Sequence, residues 1–365
     1  MNLSKFVFII VTYSLLSCTE NRNTNKYESK HITDYYLTLI DSIKYSYEKN
    51  YFIGKIGYSN VWKDYFIFTD TKQKKVFIFD KDFNLIKSVG GIGRGPGEYV
   101  NSPQIVLGAN SLILFDPQQK LLNYYDTNFD IIEVKKIDSK FIYQYAPAVE
   151  IEGKFVFSIS FPDEITDPEY YNKYNSLIWL DNKLEYVDNF FKWDQVYLDV
   201  STFSYACHNF GVLLAETEDN KFFALQEASD VIYKFDSNLR IDTLFGAKPK
   251  YFRQPPEGIT PKEIQKSFDS AIKYFSQITT KSKIDYDNSN HSLMVEYRNT
   301  VEENYKKLDS FLGERYLQIF NKDFNVIYDH VINGIFLFPY MGKIYILEEE
   351  TPNYFLVKIY ELTKK

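Results

Sequence analysis

The side chains best suited to chemistry are a few carboxylates in one polar stretch. Asp163 and Glu164 are adjacent, and Asp167 follows three residues later. Carboxylate oxygens are preferred ligands of Ca²⁺, and they also attract cationic groups. A solvated surface has the same composition, so we treat Asp163 and Glu164 as candidate ligand-binding residues and Ca²⁺ as the only ion to consider. The sequence predicts no other cofactor and no defined metal site.

A glycine-rich stretch over residues 90–99 contains two further candidates, Arg94 and Glu98, which can pair with each other or contact a ligand. A dinucleotide site requires a helix directly after such glycines, whereas Pro96 and Pro103 favour an extended chain. The Gly-Lys-Ser/Thr ending of a phosphate-binding P-loop is missing. We therefore interpret the stretch as a tight connection in which glycine permits positive φ angles.

Aromatic side chains form a third group of candidates. Tyr99, Tyr170, Tyr171 and Trp193 lie in segments that we expect to be loops. Such rings can stack on sugar faces or anchor a protein partner. Aromatic residues make up 18% of the chain, so packing in a hydrophobic core is the alternative for each ring.

Arrangements typical of catalysis are missing from the sequence. The four histidines are scattered without metal-ligand spacing, and no Gly-x-Ser-x-Gly nucleophile motif occurs. Cys207 precedes His208, but adjacency alone is not catalytic geometry. We therefore predict no catalytic residue and favour a non-enzymatic role over an enzymatic one.

The net charge of −7 argues against nucleic acid as a partner, because the phosphate backbone is bound by basic surfaces. The chain has two cysteines, Cys18 and Cys207. Two cysteines are too few for a disulfide framework or a zinc site built from thiolates.

The N-terminus has the pattern of a bacterial lipoprotein signal. Lys5 precedes eleven mostly apolar residues, and the sequence LLSC that ends at Cys18 resembles a lipobox. We predict a signal peptide over 1–17, a lipid on Cys18, a flexible tether over 18–35 and attachment to the cell envelope, at the periplasmic or surface face of the outer membrane. A plain signal peptide cut near Ser17 is the alternative.

One strand pattern recurs along the chain. An apolar strand ends in Asp or Asn, and three residues later an aromatic residue or Leu begins the next strand; these corners are at Asp80, Asp126, Asp181, Asp236 and Asn321. Such side chains suit corners because they accept bonds from the backbone two residues on. Without an insertion over about 249–290, the corners recur roughly every 40 to 55 residues, which is typical of β-propeller blades.

We predict an all-β fold, a six-bladed β-propeller of four-stranded blades over residues 36–365. The last strand, 355–361, ends the chain without a partner, so the N-terminal segment 36–43 is expected to complete blade six. This closure would remove the open sheet edges. A β-sandwich is the alternative, although it would not require near-equal repeats.

The insertion over 249–290 is predicted to be helical and to lie between blades four and five. A capping box over 260–263 precedes apolar residues at helical spacing. A second helical stripe runs from Val301 to Leu312 and ends at Gly313. The helices are interpreted either as a cap over the channel mouth or as a cover for a blade edge.

The first blade carries a resemblance to a known family. Phe66-Ile-Phe, the strand 76–80 and the crossover Gly93-Arg-Gly-Pro-Gly-Glu-Tyr99 resemble the six-bladed β-propeller lipoproteins of Bacteroidota, of NHL- or TolB-like type. The resemblance covers about residues 51–137. It implies a secreted propeller that is often lipid-anchored. It implies little about activity, because most members are uncharacterised.

Loop lengths suggest which face of the disc binds. In an antiparallel blade the 1–2 and 3–4 turns share one face, while the 2–3 loops and blade crossovers share the other. All long segments fall on this second face, here called the long-loop face, and long loops on a rigid scaffold usually carry function.

The sequence therefore predicts a lipid-anchored binding or scaffold protein. Its partner on the long-loop face would be a glycan, a peptide or an envelope protein. One alternative is a propeller-type hydrolase or lyase that uses channel carboxylates and a metal. A structural envelope subunit without a ligand is the other.

Overall fold

The structure is a computed structural model, and it describes residues 24–364 except 33, 48–50, 145, 162–169, 199–210, 254–262, 264–265 and 308–312. Antiparallel strands dominate this part of the chain. They form six consecutive four-stranded blades, as the repeat of corners predicts. Among the described residues, no helix has the length and apolar character needed to cross a bilayer.

Blades one to three follow the same order from the channel outward. Their strands are β3 (Ile56–Trp62), β4 (Tyr65–Asp70), β5 (Lys75–Phe79), β6 (Leu85–Gly90); β7 (Gln104–Leu107), β8 (Leu112–Asp116), β9 (Leu121–Tyr125), β10 (Ile131–Lys136); and β12 (Ala148–Ile151), β13 (Lys154–Ser160), β14 (Leu177–Leu180), β15 (Tyr186–Phe190). Blades two and three also meet through parallel pairing of β7 with β12. A short strand, β11 (Ile142–Tyr143), pairs with β13.

Blades four to six complete the ring. Their strands are β16 (Val212–Glu216), β17 (Phe222–Gln226), β18 (Ile232–Phe235), β19 (Ile241–Phe245); β20 (Thr279–Asp287), β21 (Ser292–Asn299), β22 (Glu314–Phe320), β23 (Val326–Ile332); and β24 (Ile335–Tyr340), β25 (Lys343–Glu350), β26 (Tyr354–Lys364), β2 (Tyr35–Ser46). The described helices are short: α1 (Tyr170–Lys173), α2 (Gln195–Leu198), α3 (Phe268–Phe275) and α4 (Glu302–Lys307).

The N-terminal strand closes the ring, as predicted. Strand β2 pairs antiparallel with β26 along almost its whole length, from Tyr35 opposite Lys364 to Ser46 opposite Tyr354. Blade six therefore takes three strands from the end of the chain and one from its beginning. This pairing covers the outer edge of the last C-terminal strand.

The segment just before β2 differs from the predicted flexible tether. Strand β1 (Asn25–Lys26) pairs in parallel with β19 of blade four. Farther along, the N–H of Ile32 donates to the carbonyl of Val326 at 2.7 Å on the outer edge of blade five. Polar composition predicts flexibility, but main-chain groups can pair with a sheet edge whatever their side chains. We call 25–32 the rim strap; residues 18–23 lie outside the described part.

The predicted corners are built as their chemistry requires. At each of the five corners, one side-chain oxygen accepts from backbone N–H groups two and four residues later; for Asp181 these belong to Lys183 and Glu185, at 2.9 and 2.8 Å. The residue in between adopts positive φ, at Phe83, Phe129, Leu184, Leu239 and Phe324. The corner acceptor therefore stabilises a backbone conformation that is unfavourable for these bulky residues.

The insertion is shorter than predicted, because 279–287 belongs to β20, the innermost strand of blade five. Helix α3 begins at Phe268, where Ser267 accepts from the N–H of Ser270 at 3.1 Å. Phe268 is 72% exposed and does not join the apolar face. The capping box over 260–263 falls largely outside the described residues. Helix α4 contacts α3.

Aromatic rings fill the wedges between blades. Phe66 of blade one lies 4.8 Å from Phe338 of blade six, between ring centroids. Phe245 of blade four stacks on Phe324 of blade five at 4.2 Å. Each such pair contributes about 0.5–1.5 kcal/mol beyond the burial of its area. The high aromatic content is thus explained in large part by packing between blades.

Candidate functional site

The innermost strands of the six blades surround a central channel that contains two cavities. The cavity at the long-loop face has a volume of about 390 Å³ and is lined by residues from all six blades. The cavity at the opposite face, which we call the short-turn cavity, measures about 470 Å³. Asn60 borders both, so the two cavities are neighbours along one axis.

The long-loop cavity is rich in positive charge. The basic residues that line it are Lys55, Lys281, Lys283, Arg298 and Arg315, and the one lining carboxylate among the described residues is Glu296. Blade five supplies all six of these side chains except Lys55. This concentration of cations on one side of a concave surface favours a negatively charged ligand.

Glu296 organises the wall of this cavity. Its carboxylate accepts from Arg315 at 2.9 Å, from the hydroxyl of Ser282 at 2.5 Å and from the N–H of Phe336 at 3.0 Å. Both Glu296 and Arg315 are buried. The pair therefore has a structural role, because Glu296 links blade five to the first strand of blade six and holds the Arg315 guanidinium in place.

Two lysines of β20 line the long-loop cavity, Lys281 being buried and Lys283 half-buried. Lys281 donates to the carbonyl of Ser229 and to Asp230, at 3.1 Å from the latter. Lys283 donates to the carbonyls of Ser59 and Leu337. Burial lowers the pKa of both ammonium groups, and the nearby carboxylates partly oppose that effect.

The short-turn cavity has the opposite charge. Its carboxylates are those of Asp64, Glu216, Glu218, Asp285 and Asp287, and Lys63 is the basic residue in its described lining. Burial raises the pKa of Glu216 to about 7 and that of Asp285 to about 6. Lys283 borders the first cavity and Asp285 the second, so the sign of the charge changes within two residues of β20.

Tyr99, a predicted ligand contact, is fully buried. Its hydroxyl shares a 2.7 Å hydrogen bond with that of Tyr125. A Cβ at Gly90, where φ is +89°, would lie 2.8 Å from the Tyr99 ring. The glycine therefore allows the crossover to pass over the ring, and Tyr99 is a core residue in this structure.

Arg94 and Glu98 are exposed on the crossover, away from both cavities. Glu98 accepts from the N–H of Gly95 at 2.8 Å, and no ion pair joins it to Arg94 within the described structure. No helix follows the glycines, which agrees with the interpretation as a connection between blades. Ligand contact by Arg94 and Glu98 stays a prediction.

The other predicted aromatics pack against one another. Tyr170 and Tyr171 are 3% and 5% exposed. The Tyr171 ring lies 5.0 Å from that of Trp193, between centroids, and Trp193 also packs on Tyr197 at 4.8 Å. These rings form a core cluster between α1 and α2, which leaves them little surface for a ligand. Asp163, Glu164 and Cys18 lie outside the described residues.

Sequence reasoning missed the basic residues of the long-loop cavity. The available signal was the run Lys281, Lys283, Asp285, of which Lys283 and Asp285 share one side of β20. An irregularity of the strand between Lys281 and Lys283 interrupts the alternation before them. The prediction of a helical insertion over the same segment concealed it. Among the described residues, no three His, Cys, Asp or Glu side chains are grouped closely enough to hold a metal ion.

Six four-stranded blades around a channel, closed by an N-terminal strand, define a six-bladed β-propeller. Residues 20–336 match the model of the DUF5128 family, described as a 6-bladed beta-propeller. The chain belongs to this family, in agreement with the resemblance found in its sequence. No curated protein matches the chain.

Solved structures with the same fold come from Bacteroides. A member of the DUF4221 family from Bacteroides vulgatus has a TM-score of 0.67 at 13% identity, over 91% of this chain and 99% of its own. A Bacteroides fragilis protein described as exported has a TM-score of 0.61 at 13% identity, over 93% of this chain and 100% of its own. At this identity the likeness extends to the fold alone.

Proposed function

We propose that this protein is a non-enzymatic binding protein of the bacterial envelope that captures a ligand with a negatively charged group in the long-loop cavity. The observation that carries the proposal is the excess of basic over acidic side chains in that cavity. Among the partners considered, an acidic glycan or a peptide with a free carboxylate has the matching charge. The charge of the cavity also agrees with a role for the long-loop face.

Arg298 and Lys55 are the residues best placed to meet such a ligand. Both line the cavity and both are half-buried, and the Nε of Arg298 donates to the hydroxyl of Thr280 at 3.3 Å. A half-buried cation near a low-dielectric wall attracts an anion more strongly than one in free solvent.

Export and lipid attachment belong to the same proposal. They rest on the signal over 1–17 and on Cys18, and the Bacteroides fragilis protein of the same fold is described as exported. Six residues lie between Cys18 and the rim strap, and this connection spans at most about 25 Å. A lipid on Cys18 would therefore hold the rim of blade four close to the outer membrane.

The test is a calorimetric titration of the soluble form that begins after Cys18. An oligosaccharide of uronic acids is compared with its neutral counterpart, in the wild type, Arg298→Gln, Lys55→Gln and the control Lys183→Gln on the opposite face. We expect binding of the acidic sugar, weakened about tenfold in either cavity variant, which corresponds to about 1.4 kcal/mol. Higher salt should weaken it further.

Equal affinity for acidic and neutral sugars would contradict the proposed charge recognition. Binding that is the same in both cavity variants and in Lys183→Gln would move the ligand site elsewhere. If neither sugar binds, a peptide with a free C-terminus and its amidated form provide the same comparison, and failure of both pairs would reject the proposal.

The alternative function, a propeller-type hydrolase or lyase, rests on carboxylates in the channel. Glu216 and Asp285 are the carboxyl groups with raised pKa values there, and perturbed pKa values often accompany catalysis. They lie in the short-turn cavity, away from the long loops. A rise in melting temperature with Ca²⁺, Mg²⁺ or Zn²⁺, removed by Glu216→Gln, would support this alternative.

A further inference from the structure

The short-turn cavity lies at the end of the channel opposite to the proposed anion site. Its described lining includes five carboxylates and one lysine, Lys63. Concave surfaces lined by one sign of charge focus the electric field and concentrate ions of the other sign. The charge balance of this cavity therefore favours a cation.

Glu216 combines a buried carboxylate oxygen with the lack of a partner, whereas the buried Asp285 Oδ2 atom keeps its ion pair with Lys283. No hydrogen bond or ion pair to its side chain occurs within the described structure, and its Oε2 atom is buried. A buried carboxylate without a partner is unfavourable for the folded protein. A ligand that carries a positive charge would remove that penalty.

The backbone is built closely around this carboxylate. A Cβ added at Gly108, where φ is +80°, would lie 2.7 Å from Glu216 Oε2 and 2.3 Å from the carbonyl oxygen of Glu150. Any side chain at position 108 would therefore displace the Glu216 carboxyl group. Gly108, in the turn between β7 and β8, thus leaves room for the carboxylate. Glycine loses more conformational freedom on folding than other residues, so this room has an entropic cost.

Three other carboxylates of the cavity have partners, and of these Asp287 is buried, Asp285 half-buried and Asp64 exposed. Asp285 pairs with Lys283 at 3.6 Å, Asp287 accepts from the N–H of Gly342 at 3.0 Å, and Asp64 accepts from the hydroxyl of Tyr340 at 3.0 Å. They are already neutralised or hydrogen-bonded in the free protein. Glu218 is exposed to solvent, so Glu216 is the carboxylate whose desolvation penalty a cation would remove.

The walls around these carboxylates are partly apolar. The apolar and aromatic lining residues are Val61, Leu107, Tyr286, Phe338, Pro339, Tyr340 and Met341. Tyrosine rings can bind an ammonium group through their faces, and aliphatic walls favour a ligand with a hydrocarbon body over a hydrated ion.

We propose that the short-turn cavity binds an organic ammonium ligand with an aliphatic chain, and that Glu216 is the counter-ion of its ammonium group. The site is separate from the long-loop cavity, because among the described residues the two linings share Asn60 alone. It also lies on the face with short turns, where the loop lengths alone predict no binding.

The expected pH dependence follows from the groups that face Glu216. Burial is the main cause of its raised pKa of about 7, and the charges of Asp285 and Glu150 add to it. Lys283 is paired with Asp285 on the neighbouring strand. Because an ammonium ligand needs the carboxylate form, its affinity should fall about tenfold between pH 8 and pH 6.

The probe is 1,5-diaminopentane, with uncharged 1,5-pentanediol as its matched control, titrated into the soluble full chain by calorimetry. We expect the diamine to bind at pH 8 and the diol not to bind. Glu216→Gln should weaken diamine binding at least tenfold and abolish its pH dependence near 7. The control Glu185→Gln, an exposed carboxylate on the same face, should bind like the wild type.

Several results would overturn the proposal. These are no binding of the diamine at about 10 mM, equal binding of the diol, or unchanged affinity in Glu216→Gln. Displacement of the diamine by Ca²⁺ at equal concentration would identify a metal site instead. If Glu216→Gln fails to fold, Glu218→Gln removes another negative charge from the lining of the same cavity. Diamine affinity that is unchanged by this loss of charge would count against the site.

Discussion

Lys283 Nζ lies 3.6 Å from Asp285 Oδ2, two residues along the same face of β20, and donates as well to the carbonyls of Ser59 and Leu337. One ammonium group thus connects the innermost strands of blades one, five and six. Lys283 lines the basic cavity and Asp285 the acidic one, so this ion pair lies at the boundary between the two.

Removal of this ammonium group should destabilise the ring. Lys283→Met leaves the half-buried Asp285 carboxylate without its ion-pair partner and removes one donor from the carbonyls of Ser59 and Leu337, of which that of Leu337 keeps the Ser59 hydroxyl. We expect a loss of about 2–4 kcal/mol in the free energy of unfolding. Urea denaturation measures it. In the double variant with Asp285→Asn the loss should be smaller, and an equal loss in both would show that the ion pair is not the cause.

The unpartnered carboxyl group of Glu216 should make stability depend on pH. Its pKa is raised to about 7 in the folded protein from an ordinary value of 4.5, so the folded state holds the proton more tightly than the unfolded state. Its contribution to stability is complete below about pH 4.5 and is lost as pH rises through about 7. Between pH 5 and 8 this amounts to about 1–3 kcal/mol.

Substitution of Glu216 by Gln removes this titration. The variant should equal or exceed the wild type in stability at pH 8, and the difference between the two should shrink toward pH 5. Urea midpoints across that range provide the measurement. A parallel pH profile in wild type and variant would exclude Glu216 as the titrating group.

The corners and the ring closure could be predicted because each depends on local chemistry. An Asp such as Asp181 determines a turn within five residues, and an apolar strand without a partner implies a segment that pairs with it. The convergence of Glu296, Arg315 and Lys283 depends instead on several blades closing around one axis. No spacing in the sequence reports that β20 is an innermost strand.

The exposure of the rings predicted to bind a ligand could not be predicted from the sequence. Tyr99 and Tyr171 were placed correctly in connections on the long-loop face, but position in a loop does not determine exposure. In a chain with so many aromatics, the wedges between blades and the space under long loops are filled with rings. Burial therefore had to come from the structure.

The corner acceptors should contribute measurably to stability. Asp181→Ala removes an oxygen that receives two backbone N–H groups while Leu184 keeps its positive φ. We expect a loss of about 1–2 kcal/mol, read from the urea midpoint. Asn182→Ala, at the exposed next position, is the control and should change the urea midpoint little. Equal shifts in the two variants would mean that the hydrogen bonds of the corner do not stabilise the protein.

The rim strap should stabilise the outer edges of blades four and five. Tyr27 N–H donates to the carbonyl of Leu244 at 2.9 Å, and Val326 N–H donates to the carbonyl of Lys30 at the same distance. A chain beginning at residue 34 should therefore be about 2–4 kcal/mol less stable than one beginning at residue 24. Both forms lack Cys18, so a lipid plays no part in the comparison.

Because the strap binds mainly through its backbone, Glu28→Ala should leave the unfolding midpoint unchanged. Tyr27→Ala should cost a smaller amount than the deletion, since the Tyr27 ring lies 5.3 Å from that of Phe324. Hydrogen exchange provides an independent measurement, in which the amides of Tyr27, Ile32 and Val326 should exchange slowly. Rapid exchange of all three, together with equal midpoints for the two chain lengths, would show that the strap is detached in solution.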